Sequence, residues 1–193
     1  MGYKYQKKDI LQIGYDVFRK KGYHNVGINE ILKQANIPKG SFYNFFKSKE
    51  DFAMQVIDDY GENNRSLITS FLNNQALSPF NRLKSFYQSL IDDNQKDNYL
   101  GSCLLNTLAN ELGTQNKLIA TTTDKNFLSW VYLIAECVKE AQLLGEIRND
   151  YSSFEIAEYL HAGCNGVYSR MKVTHSKAFM EKWLEMSFEF IKG

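Results

Sequence analysis

Proline is nearly missing from this chain, with two residues in 193, against thirteen phenylalanines and twelve tyrosines. A turn-rich β-sandwich needs more punctuation than that, whereas long helices do not. No run of about 18 apolar residues is present, so no transmembrane helix is expected. The opening MGYKYQKKDI lacks the apolar stretch of a signal peptide. A cytoplasmic protein with no membrane partner is expected. The three cysteines, Cys103, Cys137 and Cys164, are odd in number and widely spaced, with no CxxC. Neither a disulfide framework nor a metal site is expected. No Gly-rich phosphate loop occurs, and His24, His161 and His175 have no acidic partner at a telling spacing. An enzyme would need a nucleophile–base pair that is not legible here, and no cofactor is called for.

What is present is globular composition, 44% hydrophobic and 23% charged. The length fits one domain, or two small ones sharing a core. The net charge of +1 conceals an asymmetry. Residues 1–50 carry ten Lys/Arg and four Asp/Glu, and residues 51–193 carry thirteen and eighteen. A basic first segment on an acidic body points to a local surface for a polyanion.

Apolar positions follow helical spacing nearly throughout, so an all-α fold of about nine helices is expected. Ile10, Ile13, Val17 and Phe18 line a first helix that Gly22 stops, and Ile28, Ile31, Leu32 and Ala35 line a second. Asn36 and Pro38 break it, and Phe42, Phe45 and Phe46 form a third stripe. Ser48 and Asp51 are placed to cap a helix reaching about residue 74. Ser78-Pro79 opens the next, Leu104 to Leu112 form a shorter one, and 124–144 another. Ser152 and Glu155 cap a helix running to about Lys172, and a last helix holds Phe179 to Ile191.

Residues 28–47, INEILKQANIPKGSFYNFFK, place two short helices about a tight turn, as a helix-turn-helix does. With the phenylalanines buried, the second helix presents Lys39, Gly40, Ser41, Tyr43, Asn44 and Lys47. Cations, hydroxyls, an amide and a close-approach glycine are the groups that meet phosphates and base edges in a major groove. Asn44 suits an adenine, and Tyr43 and Lys49 suit phosphate oxygens. Lys49 also lies in the first turn of the following helix, whose free amides favour an anion.

The stretch from about Asp9 to Phe52 resembles the DNA-binding domain of the tetracycline-repressor (TetR) family of bacterial regulators. VFRKKGYHNVGINEI, ANIPKGSFY and FYNFFKSKEDF carry the resemblance. It implies a homodimer on double-stranded operator DNA, with residues 1–50 as a three-helix DNA-binding domain. Residues 51–193 would bind a small effector and dimerise. Related sequences commonly carry His at or beside Asn44, which implies a different operator here. The expected function is a ligand- or thiol-responsive regulator, most simply a repressor released by its effector. A helical scaffold that has lost DNA binding is the competing reading, and salt-sensitive duplex binding separates the two.

An aromatic-rich helical body can enclose an apolar pocket. Its candidate lining is Tyr99, Cys103, Asn106, Trp130, Cys137, His161, Cys164 and Tyr168. GSCLLNTLANEL, 101–112, is similar to the subgroup that includes regulators of N-ethylmaleimide reductase and of multidrug pumps. That resemblance implies a thiol sensor at Cys103, with Lys172 as a basic residue near it. A helix N-terminus would lower the thiol pKa there. The last two helices are amphipathic, and Ala162, Gly163 and Gly166 would let a second copy approach in a four-helix interface. The alternative is that these glycines accommodate a bulky neighbour within one subunit.

Overall fold

A computed structural model describes residues 6–96 and 103–193. The all-α expectation holds. Among the described residues there are nine helices: α1 Lys7–Lys21, α2 Ile28–Ala35, α3 Lys39–Phe45, α4 Lys49–Leu72, α5 Pro79–Lys96, α6 Leu104–Leu112, α7 Lys117–Leu143, α8 Ser153–Thr174 and α9 Ala178–Ile191. Extended pairing among the described residues is confined to one isolated antiparallel bridge between Ile147 and Lys192.

Several starts follow from capping chemistry. The Ser152 hydroxyl accepts the Glu155 N–H at 3.2 Å while the Glu155 carboxylate accepts the Ser152 N–H at 2.8 Å. At α4 the Ser48 hydroxyl accepts the Asp51 N–H at 3.0 Å, but Asp51 reaches back to the N–H of Lys47, one residue earlier than expected. The start of α7 lies seven residues ahead of the expected 124. Thr121, Thr122 and Thr123 disguise it, because β-branched residues read as poor helix formers. Asn116 overrides them by accepting the Ile119 N–H at 3.0 Å.

Contacts divide the chain into two compact units, Met1–Asn63 with Cys103–Phe127, and Asn64–Ser102 with Leu128–Gly193. The first is built around Phe18, Phe42, Phe46 and Phe52, all fully buried. The Phe52 ring lies 4.8, 5.3 and 5.7 Å from those of Phe46, Phe42 and Phe18. Gly14 brings α1 hard against α4, since a Cβ there would stand 2.4 Å from the Phe52 ring. The bend between α2 and α3 uses Asn36 in the left-handed region, φ 50°, and Pro38 as the residue before α3.

In the second unit α8 and α9 share a core of Leu160, Cys164, Met171, Met180, Leu184 and Phe188. Arg82 ties this unit together while only 5% exposed. Its five N–H donors are all used: on Leu77 O, on Leu72 O, on Gln75, and twice on the Glu140 carboxylate at 2.9 and 3.0 Å. Gly163 answers to its own chain, because a Cβ there would stand 2.3 Å from Nε1 of Trp183. Gly166 faces open space.

Candidate nucleic-acid interface

The α3 helix is short, and its orientation is set by what it buries. Phe42 and, just past its end, Phe46 are fully buried, while Phe45 is half-buried. That leaves Lys39, Gly40, Tyr43 and Asn44 exposed, with Ser41 half-exposed and Lys47 exposed in the turn that follows. Tyr43 keeps 44% of its surface open and meets the Phe42 ring edge-on at 5.5 Å. The polar ridge anticipated from the spacing is therefore on the surface.

Lys49 also has partners within its own chain. Its ammonium donates to the Tyr23 carbonyl at 2.6 Å and sits 4.0 Å from the centre of the Tyr23 ring. Burial lowers its pKa, with the Glu111 carboxylate acting the other way. Lys49 thus holds the turn between α1 and α2, using one of its three N–H donors on a described residue.

Sequence reasoning missed the partner on the other side of that turn. Glu111, at the end of α6, accepts the backbone N–H of Tyr23 at 2.6 Å and of His24 at 2.9 Å. Asn116, just beyond α6, donates to the Glu50 carboxylate at the start of α4. These ties span separations of 66 to 88 residues, and no local pattern announces them.

The sensing candidates fall in both units. Cys103 and Asn106 belong to the first, where Cys103 is buried immediately ahead of α6 and Asn106 is half-buried within it. The expected lowering of the Cys103 pKa is corrected: burial raises it, outweighing the pull of the Asn106 and Leu105 amides and the Tyr60 hydroxyl. Trp130, Cys137, His161, Cys164, Tyr168 and Lys172 belong to the second unit. Trp130 meets the His161 ring edge-on at 6.2 Å, and burial pushes the His161 pKa down to about 4. Cys137 donates to the Pro79 carbonyl, and burial pushes its thiol up to about 11. Cys164 is buried, Tyr168 half-buried and Lys172 exposed. Tyr99 lies outside the described residues.

Two further groups in the second unit were not singled out as polar partners. The Tyr87 and Trp183 rings meet edge-on at 5.3 Å, and neither the Tyr87 hydroxyl nor the Trp183 Nε1, both buried, has a hydrogen-bond partner among the described residues. Burial, with Cys164 nearby, raises the Tyr87 pKa well above its usual value. A separate cavity of about 410 Å³ is lined in part by Thr69, Gln75, Arg82, Cys137 and Glu140. Its one deeply buried cation, Arg82, has no donor left to offer a ligand. Among the described residues no His/Cys/Asp/Glu group is placed to hold a metal, and no helix is long and apolar enough to cross a membrane.

Comparison with known proteins agrees with this geometry. Residues 10–56 match the family model for bacterial regulatory proteins of the tetR family. Residues 79–186 match the model for the tetracyclin repressor-like C-terminal domain. The HTH-type transcriptional repressor DhaR of Mycobacterium sp. (strain GP1) is 30% identical over 185 residues, 95% of this chain and 90% of DhaR. The HTH-type transcriptional repressor NemR of Escherichia coli (strain K12) is 23% identical over 136 residues, 70% of this chain and 68% of NemR. A crystal structure of the regulatory protein TetR from Rhodobacter sphaeroides superposes with a TM-score of 0.90 at 26% identity, covering 95% of this chain and 97% of that one. With an exposed polar α3 on a buried phenylalanine base and both halves matched, the chain belongs to the TetR family of bacterial regulatory proteins and is a DNA-binding transcriptional regulator.

Proposed function

We propose that this protein is a cytoplasmic homodimeric repressor that reads a two-part operator through α3 and leaves it when a small effector binds. One observation carries the reading: the exposed ridge Lys39, Gly40, Ser41, Tyr43, Asn44 and Lys47 is held outward by Phe42 and Phe46. Lys39 and Lys47 are assigned to phosphates, Tyr43 to a phosphate oxygen, and Asn44 to a base edge, with Gly40 and Ser41 allowing the backbone to come close. Lys49 is assigned to holding the reading head, with a phosphate as a second partner. We take residues 1–50 as the DNA-binding domain and 51–193 as the effector-binding and dimerising part, noting that α6 and the start of α7 share the compact unit of the head. The relatives DhaR and NemR are named transcriptional repressors, which supports the sense of control.

The dimer is assigned to α8 and α9. Tyr159, Val173, Phe179, Met186 and Phe190 are exposed on this pair, Val173 by 76% and Met186 by 61%. Covering them with the same face of a second copy removes apolar surface from water and makes a self-complementary interface. For the trigger, the buried Tyr87 hydroxyl and Trp183 indole N–H favour a small, largely apolar effector with a hydrogen-bonding oxygen. Trp130, Cys164 and Tyr168 are its other proposed neighbours. A thiol trigger is the second reading, favoured by the place of Cys103 at the head of α6: a group added there has no room inside a buried site.

The test is a fluorescence titration of a labelled duplex at two salt concentrations. Binding that falls steeply as salt rises supports the reading. Absence of binding at low salt rejects it.

A further inference from the structure

The turn joining α1 to α2 is held by side chains of two other helices. Gly22 ends α1 with φ 76°, which turns the N–H groups of Tyr23 and His24 toward α6. There the two Glu111 carboxylate oxygens take one N–H each, Oε2 from Tyr23 and Oε1 from His24. A side chain at 22 would push this carboxylate off its two N–H groups, since a Cβ would stand 2.6 Å from Oε2. Lys49 takes the Tyr23 carbonyl, and the Tyr23 ring leans on Phe18 of the core at 5.7 Å. Three backbone groups of a two-residue stretch are thus bound to charged side chains of α6 and α4.

We propose that Glu111 is a positioning residue for DNA reading: its carboxylate fixes the turn from which α2 and α3 set out, so the seat of α6 determines the stance of the reading ridge. Glu111 is assigned no contact with DNA; it acts through the turn whose N–H groups it accepts. A carboxylate is required, because each of its oxygens accepts. An amide in its place offers one acceptor and turns its N–H₂ against the second backbone N–H. The inference rests on α3 being the reading helix, and its test separates the two claims.

The full-length protein is used with a labelled duplex of about 30 base pairs, long enough for two half-sites one helical turn apart, selected from a random library by the wild-type protein. Glu111→Gln is expected to weaken binding about tenfold or more with the salt slope unchanged, since no phosphate contact is lost. Lys39→Ala is expected to weaken binding and flatten the slope by about one unit. Amide hydrogen exchange is read in the same variants. In Glu111→Gln the Tyr23 and His24 amides exchange at least about tenfold faster while those of α8 keep their protection. Wild-type affinity in Glu111→Gln beside a weakened Lys39→Ala overturns the role of Glu111 alone. Wild-type affinity in both overturns α3 as the reader as well. Should Glu111→Gln also lose thermal stability, unchanged protection at Tyr23 and His24 overturns the proposal.

Discussion

Tyr43 and Asn44 are neighbours on α3 but ask different things of a duplex. A phenol on a phosphate oxygen is blind to sequence, so Tyr43→Ala should lower affinity for every duplex alike. An amide on a base edge is selective, so Asn44→Ala should cost about 1–3 kcal/mol of discrimination at one position and little elsewhere. Binding to the selected duplex and its single-base variants measures both, and an unchanged base preference in Asn44→Ala ends the readout role. Cys103 obeys another constraint. Its thiol is held above its ordinary value by burial, so attack on N-ethylmaleimide should be slow at neutral pH and still accelerating past pH 9. The reagent should release DNA from the native protein and not from Cys103→Ser, and equal release from both removes the thiol trigger. His161 reports on stability. Its folded pKa is depressed to about 4 from 6.5 by burial, so the unfolded chain takes up a proton that the folded one refuses. The contribution of this group is complete above pH 6.5 and is lost as pH falls toward 4, by up to about 3 kcal/mol. Urea unfolding at pH 7 and pH 5 should show a steeper loss in the native protein than in His161→Gln, and parallel losses contradict the assignment.

Helices separate what the chain announces from what it hides. Those fixed by neighbours in sequence were readable: the stop at Gly22, the bend at Asn36 and Pro38, the reciprocal cap of Ser152 and Glu155, and the stripe that turns α3 outward. The start of α7 was not, because its signal is one Asn ahead of three threonines. Nor was the grip on the first turn, where Glu111 and Tyr23 are 88 residues apart and meet only once the chain has folded. The two glycines of α8 look alike in sequence and differ in space. Gly163→Ala must displace the Trp183 indole and should cost about 1–3 kcal/mol. Gly166→Ala meets nothing within 4 Å of its own chain and should gain about 0.4–1 kcal/mol through the unfolded state. Urea unfolding under conditions where the chain is monomeric distinguishes them, and similar losses at both positions would contradict the different surroundings of the two glycines.

At the scale of the whole molecule, the proposed dimer would make affinity depend on two heads engaging together. A single head contacts few phosphates, and joining two raises the effective concentration of the second. Met186→Glu places a charge on the exposed apolar face of α9 and leaves the core side of that helix untouched. Sedimentation should report half the native mass at micromolar concentration, with duplex affinity down about tenfold or more. Native mass in this variant moves the interface away from α9. The partition of charge adds steering: a basic segment is drawn to a duplex while an acidic remainder is repelled, which would orient the protein before contact.

The close seating of Gly14 against Phe52 and Val56 leaves no slack between the first helix and the fourth. A well-filled joint of this kind does not deform by degrees. Displacement of the early part of α4 would therefore carry α1 with it as a block. Gly14→Ala should then disturb α1 and α4 together, which loss of amide protection in both helices at once would report.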